Sequence, residues 1–469
     1  MRSTFVSCSA FALLATAACR SASEGSPARE AAAVASDVAR RTGAESPAAD
    51  GDGAARAACR GLLARPLTAE SAVKVALLRN AGIRESYERL GIARADLLQA
   101  GLIANPVFSA NVKSFAAGPE LEFGLAMSFV ELFFVPLRRR VAAHELCAAQ
   151  AQVTRELVHV VYEVRRALAS VRGADAVVLV RQEALAAVNA ARDLMQRLHG
   201  AGNVRDADLT VEEVGAARAR LDLDGAETLA RDAREALTVL LGLGTGETGW
   251  TLDPAPPPPV PTRAGDVEPL ALAASLDLLE ARSRWAAALE ASGLARRSGL
   301  LPHLDLGAVG KRESSDGAWG FGPEVSTAIP IFDHGQARVL ASNAVARQHE
   351  ARHAQLRVEV ASAARRFADR ARTLEARERY LRETYLPLRA RYVIDTVQSF
   401  NAMQIGAFDV LDAKEGEADA RREHAETATA ARIAQLDLAE LLAGSLDRER
   451  LDHPGIPERA ERPTPPKGH

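Results

Sequence analysis

Aromatic side chains are scarce in this sequence: Phe, Tyr and Trp together make up 4% of its 469 residues. A globular core of that size normally draws on aromatic burial. Here the 48% hydrophobic fraction rests mostly on Ala, Leu and Val, a palette suited to helix packing. Cysteine is equally sparse. Cys8, Cys19, Cys59 and Cys147 lie at neither metal-ligand nor redox-motif spacings. The net charge is only -3, and no basic stripe interleaves with aromatics, so no nucleic-acid partner is expected. Beyond the N-terminus no run reaches the roughly 18 apolar residues of a transmembrane helix. If the chain crosses a membrane, it does so with strands.

The N-terminus reads as an export signal over residues 1–18. Arg2 precedes a largely apolar run from Phe5 to Ala18, about the length of a signal peptide. The run ends in small residues before Cys19. This resembles a bacterial lipoprotein signal, with Cys19 as the lipidated residue, although Thr16 stands where Leu is usual. Ordinary cleavage after Ala15-Thr16-Ala17 is the competing reading. Residues 19–66, rich in Ala, Ser, Gly and acidic side chains, are expected to be a disordered tether.

From Leu67 the chain repeats itself with a period of roughly 200 residues. The first repeat covers 67–250 and the second 268–444, joined by a Pro-rich linker over 251–267. A disordered tail is expected over 445–469. Each repeat has four parts. A helix (Leu67 to Leu102; Glu268 to Ser298) leads to a strand pair between prolines (Pro106 to Pro136; Pro302 to Pro330). A very long helix follows (Arg138 to His199; Gln336 to Ala402), then a turn and a returning helix ending near Leu241 and Leu442. About sixty helical residues extend about 90 Å at about 1.5 Å each, too long to wrap a compact core. Gly173 weakens the first long helix slightly, and Pro387 is expected to kink the second.

The strand pairs carry the clearest pattern. Leu121, Phe123, Leu125, Met127 and Phe129 alternate with Glu122, Gly124, Ala126 and Ser128. Trp319, Phe321, Val325 and Ile329 share one face, opposite Gly320, Gly322, Glu324, Ser326 and Ala328. This is period two, greasy on one side and small or polar on the other, at a length that suits an outer-membrane strand. Pro323 suggests a bulge. A soluble hairpin packed on helices would alternate in the same way. Its recurrence at matching places in two repeats of an exported chain favours lipid contact. Four strands cannot close a barrel, so other subunits must complete it.

Several short motifs now fall into a known order. Ala104-Asn105-Pro106-Val107-Phe108 and Leu301-Pro302-His303-Leu304-Asp305-Leu306 precede the strands. The segment from Ile329 through Pro330, Phe332, Asp333, His334, Gly335 and Gln336 to Arg338 follows them, with a weaker counterpart from Phe134 to Arg140. Together they resemble the TolC-like outer membrane factors of tripartite efflux and secretion systems, possessing features similar to the heavy-metal efflux branch. The resemblance implies a mainly α fold with a small β part: two tandem repeats of long coiled-coil helices plus a β-hairpin. Three chains would form an α-barrel in the periplasm and a 12-stranded β-barrel in the outer membrane. Implied partners are two further copies, a periplasmic adaptor protein, an inner-membrane pump and outer membrane lipid. The turns Gly202 to Leu209 and Gly406 to Ala413 resemble the family's tip motif. Gly202, Asp206, Asp208, Leu209, Gly406, Asp409 and Leu411 are thereby implied as gate and adaptor-contact residues; a plain turn-and-cap role is the alternative. Glu122, Ser128, Asp305, Glu324 and Ser326 are expected to face the pore.

Two motifs invite other answers. His349-Glu350-Ala351-Arg352-His353 matches the zinc-peptidase pattern H-E-x-x-H, and a periplasmic zinc metallopeptidase is one alternative function. That chemistry needs a third ligand. The downstream carboxylates Glu375 and Glu378 lie on the same helix, Glu375 about 33 Å beyond His353. Gly244-Thr245-Gly246-Glu247-Thr248-Gly249 matches G-x-G-x-x-G but follows a helix rather than a strand, and reads as a helix terminator. A lipid-anchored coiled-coil scaffold is the other alternative. No catalytic residue, cofactor or metal is expected.

Overall fold

The computed structural model describes residues 27–45, 52–115, 118–255, 266–300, 304–312 and 318–452. Cys19, the export signal, Pro302, His303 and most of the Pro-rich linker lie outside the described residues. The chain divides into two compact units. One comprises Met1–Asp37, Gly82–Glu156 and Leu276–Glu359; the other comprises Val38–Ala81, Leu157–Ser275 and Val360–His469.

The stretch expected to be a disordered tether contains two helices, α1 (Pro27–Thr42) and α2 (Asp52–Leu63). Val34 and Val38, four residues apart, are 3% and 2% exposed, and Cys59 is buried. In an Ala-rich segment, that short apolar stripe suffices to dock a helix despite its polar composition. The cation that fixes α1 is Arg41, whose Nη1 donates to the carbonyls of Ala274 (2.8 Å) and Ala443 (2.9 Å), the last residues of two other helices.

Each repeat opens with two helices where one was expected. α3 (Ala69–Arg79) and α4 (Ala81–Gly101) break at Asn80; α7 (Val267–Ala274) and α8 (Leu276–Leu300) break at Ser275. Asn80 (φ -64°, ψ 120°) and Ser275 (φ -61°, ψ 118°) adopt the same extended conformation. The Asn80 amide repays its broken turn by donating to Leu240 O at 3.0 Å. Leu67 is not helical: it bridges Leu252 in parallel, and Thr68 caps α3.

Strands β1 (Val107–Phe115), β2 (Gly118–Ser128), β3 (Leu304–Arg312) and β4 (Trp319–Thr327) form one antiparallel sheet in that order. The hairpins of the two repeats are joined through β2 and β3. No bulge occurs at Pro323, which pairs one-to-one with Ala308. β4 is an outer strand of the sheet, where a residue without an N–H is tolerated.

The long helix α5 (Val130–Gly200) has 71 residues and starts eight residues before the expected Arg138. Pro136 lies inside its second turn rather than ending the strand pair, and it forfeits the one ladder bond its N–H would have donated to Leu132 O. After a turn, α6 (Asp206–Leu240) returns. In the second repeat α9 (Gln336–Tyr380), a π-turn (Leu381–Tyr385) and α10 (Leu386–Asn401) precede α11 (Ala407–Ala443). The disruption foreseen at Pro387 takes the form of this π-turn, which accommodates the missing donor. The expected tail also begins ordered: Ser445 and Leu446 are buried, and α12 (Arg448–Asp452) follows.

Two glycines have clear packing reasons. A Cβ on Gly173 would strike the Thr429 hydroxyl, so α5 and α11 approach closely because the side chain is missing. Gly335 has φ +83°, and a Cβ there would sit 2.9 Å from Gly299 Cα. Its N–H donates to Asp333 Oδ1 at 2.8 Å, while Gln336 Oε1 accepts from His334 N at 3.0 Å. The Asp-His-Gly-Gln motif is thus a strand-to-helix turn at a backbone crossing.

Candidate functional site

The sheet register sorts side chains onto two faces, because directly paired residues share a side. Ser128, Asp305 and Ser326 pair in one row, Glu122 pairs with Asn111 and Lys311, and Glu324 pairs with Gly307. All five residues expected to face the pore therefore lie on one side of the sheet. Lys311 Nζ is 2.7 Å from Glu120 on that same side. The opposite side carries Phe108, Val112, Leu121, Phe123, Leu125, Met127, Leu306, Trp319, Phe321 and Val325. Its aromatics form a stacked row: Phe108–Phe123 at 6.1 Å, Phe123–Trp319 at 5.9 Å and Trp319–Phe321 at 6.1 Å between centroids. Phe321, 83% exposed, also covers Gly310, where a Cβ would meet its ring at 2.8 Å. Large exposed aromatics in one row on a sheet face mark a surface made for apolar contact.

The helix tips belong to the other unit. α5 ends in a Schellman turn: Gly202 N donates to His199 O and Asn203 N to Leu198 O, with Gly202 at φ +77°. The second tip makes the same turn, but its left-handed residue is Met403 (φ 58°), 93% exposed. Gly406 is not the counterpart of Gly202. It has φ -84° and caps the N-terminus of α11, the place Arg205 holds for α6. The left-handed position of the second tip is thus held by Met403 and not by a glycine.

The acidic residues at the tips are engaged locally. Asp409 Oδ2 accepts from Gly406 N at 2.9 Å. Asp208 accepts from Arg205 Nε and Nη2 at 2.9 and 3.0 Å, and that guanidinium holds its carboxyl below the usual range. Asp206 Oδ1 is 2.6 Å from His199 Nε2. Leu209 and Leu411 are half-buried just inside the two returning helices. Farther along, Glu212 is buried, and its pKa is raised by burial and by the charge of Glu415.

His349 and His353 lie half-buried on α9, and the His353 ring sits 6.0 Å from the Trp285 ring. Burial and the cations Arg357 and Arg282 push the His353 pKa down. Among the described residues, neither histidine has two further ligands close enough to share an ion. The peptidase pattern is therefore a match in letters without the third ligand.

Sequence reasoning missed a buried ionic cluster. Arg166, 2% exposed, donates to Glu163 Oε1 (2.6 and 3.0 Å), Asp437 Oδ1 (3.1 Å) and Glu440 Oε2 (2.6 Å). His159 Nδ1 lies 2.8 Å from Glu440 Oε1, which also accepts from Ser445 Oγ at 2.9 Å. The Glu440 hydrogen bond raises the His159 pKa; burial raises that of Asp437 despite Arg166. The signal was present: Asp437 and Glu440 interrupt the apolar run from Leu436 to Leu442, and Glu163 and Arg166 interrupt that from Val160 to Leu168.

Residues 268–444 match the family model described as outer membrane efflux protein. No curated protein matches the chain. Among solved structures, CusC, described in connection with transmembrane channel formation, superposes with a TM-score of 0.69 at 18% identity, covering 81% of this chain and 92% of that one. The outer membrane protein VceC of Vibrio cholerae gives 0.66 at 17% identity, with 81% and 97% coverage. The CmeC outer membrane channel of Campylobacter jejuni gives 0.69 at 12% identity, with 81% and 86% coverage. The second repeat thus matches the outer membrane efflux protein model, and both repeats together share the fold of these TolC-like outer membrane channels.

Proposed function

We propose that the chain is one subunit of an outer-membrane efflux or secretion channel that conducts substrates passively from a periplasmic adaptor and an inner-membrane pump to the exterior. The observation that carries this reading is the two-faced sheet: an exposed aromatic row on one side and Glu122, Ser128, Asp305, Glu324 and Ser326 on the other. The aromatic face contacts lipid and the polar face lines water. The strand order β1-β2-β3-β4 leaves two outer strands, and hydrocarbon offers nothing to satisfy an open sheet edge. Further copies complete the sheet, and three copies give twelve strands. The tip turns, with Gly202, Asp206, Asp208 and Leu209 in one and Gly406, Asp409 and Leu411 in the other, form the gate and the adaptor contact. Cys19 carries the lipid anchor.

Membrane fractionation followed by mass determination of the detergent-solubilised protein tests this reading. The expected result is an outer-membrane protein with three chains per particle. A soluble monomer contradicts it, and a membrane-bound monomer whose attachment is lost on Cys19→Ala favours the lipid-anchored scaffold instead.

A further inference from the structure

The buried cluster of the second unit has a feature the channel reading does not use. His159 on α5, Glu440 near the end of α11 and Asp447 in the turn before α12 each offer one ligand atom, and these atoms all lie within 4.8 Å of one another. From this placement we propose that His159, Glu440 and Asp447 bind one borderline divalent transition metal ion of the zinc class, which staples α5 to the turn that follows α11.

The donor set is one imidazole and two carboxylates, the kind that holds four-coordinate zinc with water in the remaining position. A nitrogen ligand favours such an ion over magnesium or calcium, which prefer all-oxygen shells. Ligand atoms about 2.1 Å from a tetrahedral ion stand roughly 3.4 Å apart. The His159–Glu440 distance of 2.8 Å must open slightly and Asp447 must move in, both within side-chain reach.

Outer contacts already orient the ligands, as metal sites require. Arg166 Nη1 holds Glu440 Oε2 at 2.6 Å, leaving Oε1 toward His159. Asp447 Oδ1 accepts from Arg450 N at 3.3 Å, and its other oxygen lies 3.7 Å from Arg450 Nε. Ser445 Oγ, which donates to Glu440 Oε1, turns aside when an ion takes that lone pair.

Charge points the same way. Glu163, Asp437, Glu440 and Asp447 gather around Arg166 and Arg450, with Arg370 also near Asp437. Asp437 is 3% exposed, and its Oδ2 accepts no hydrogen bond. The cluster thus carries more carboxylate than cation. The excess is a single charge, which a proton shared by His159 and Glu440 balances; a divalent ion takes the place of that proton, which leaves to solvent, and changes the net charge of the cluster by one unit. His159, its side chain 41% exposed, gives the ion a path from solvent.

Equilibrium dialysis of the full chain in detergent, stripped with chelator and then offered Zn2+, tests the site by metal analysis, with helical circular dichroism as a check on folding. The expected result is one zinc per chain. His159→Ala and Asp447→Asn each weaken binding at least tenfold, and His353→Ala leaves it unchanged. Substituted Co2+ should give visible absorption bands of four-coordinate strength, absent in His159→Ala. Zinc well below one per chain in the wild type overturns the proposal, as does binding that survives in folded His159→Ala and Asp447→Asn. Neither readout depends on the protein being a channel.

Discussion

Replacing Arg166 with Met tests whether the buried ionic cluster holds α5 to α11. Arg166 is 2% exposed and serves three carboxylates, of which Asp437 and Glu440 are 3% and 1% exposed. Removing it strands those two without their cation, and breaking such a buried pair costs about 3–5 kcal/mol. The cost depends on pH. A carboxyl whose folded pKa is raised stabilises the fold below its unfolded value and loses that contribution as pH rises through the raised value. Asp437 is raised even in the wild type, and without Arg166 it rises further. The variant should therefore be hurt more at pH 8 than at pH 5. Hydrogen exchange of the amides in 161–168 and 434–441 reads the local opening energy. A loss below about 1 kcal/mol at both pH values would refute the reasoning. So would a greater loss at pH 5. A triple change that also makes Asp437 and Glu440 into Leu should recover most of the loss, because no orphaned charge remains.

Gly173→Ala should cost about 1–3 kcal/mol through the clash with Thr429, less up to about 1 kcal/mol of helix propensity, in a denaturant titration; Thr429→Ala should return part of it. Phe123→Arg, on the aromatic face, should cost about 2–4 kcal/mol of membrane insertion, and its neighbour Glu122→Arg, on the polar face, should insert normally. Insertion of folded protein into vesicles, scored by protease protection, distinguishes the two. Glu212→Gln should stabilise the folded state at pH 7 and have little effect at pH 4, because the raised Glu212 pKa contributes stability only at low pH and loses it as pH rises. Thermal unfolding at the two pH values measures this.

Local periodicity made the repeats, the strands and the long helices legible. The alternation of Leu121 to Phe129 gave β2 and its two faces, and the pairing with β3 then fixed which residues of both repeats share the polar side. Features set by tertiary contact were less legible. Asn80 breaks a helix in order to cap another, a partner 160 residues away that no window reveals. α1 looked unstructured because two valines and an arginine suffice once other helices supply the carbonyls for Arg41. The left-handed turn of the second tip carries no sequence signal, because Met403 takes a conformation usually left to glycine. The buried ions could have been noticed as charges on apolar helix faces, but their pairing depends on how α5 meets α11.

Single-channel recording of the purified protein in a planar bilayer tests the central claim most directly. A pore with the sheet's polar face inside predicts discrete conductance steps from trimeric protein, and Glu324→Lys should shift their ion preference toward anions. Trimeric, membrane-inserted protein that conducts nothing, or conductance whose selectivity ignores Glu324, would contradict the account.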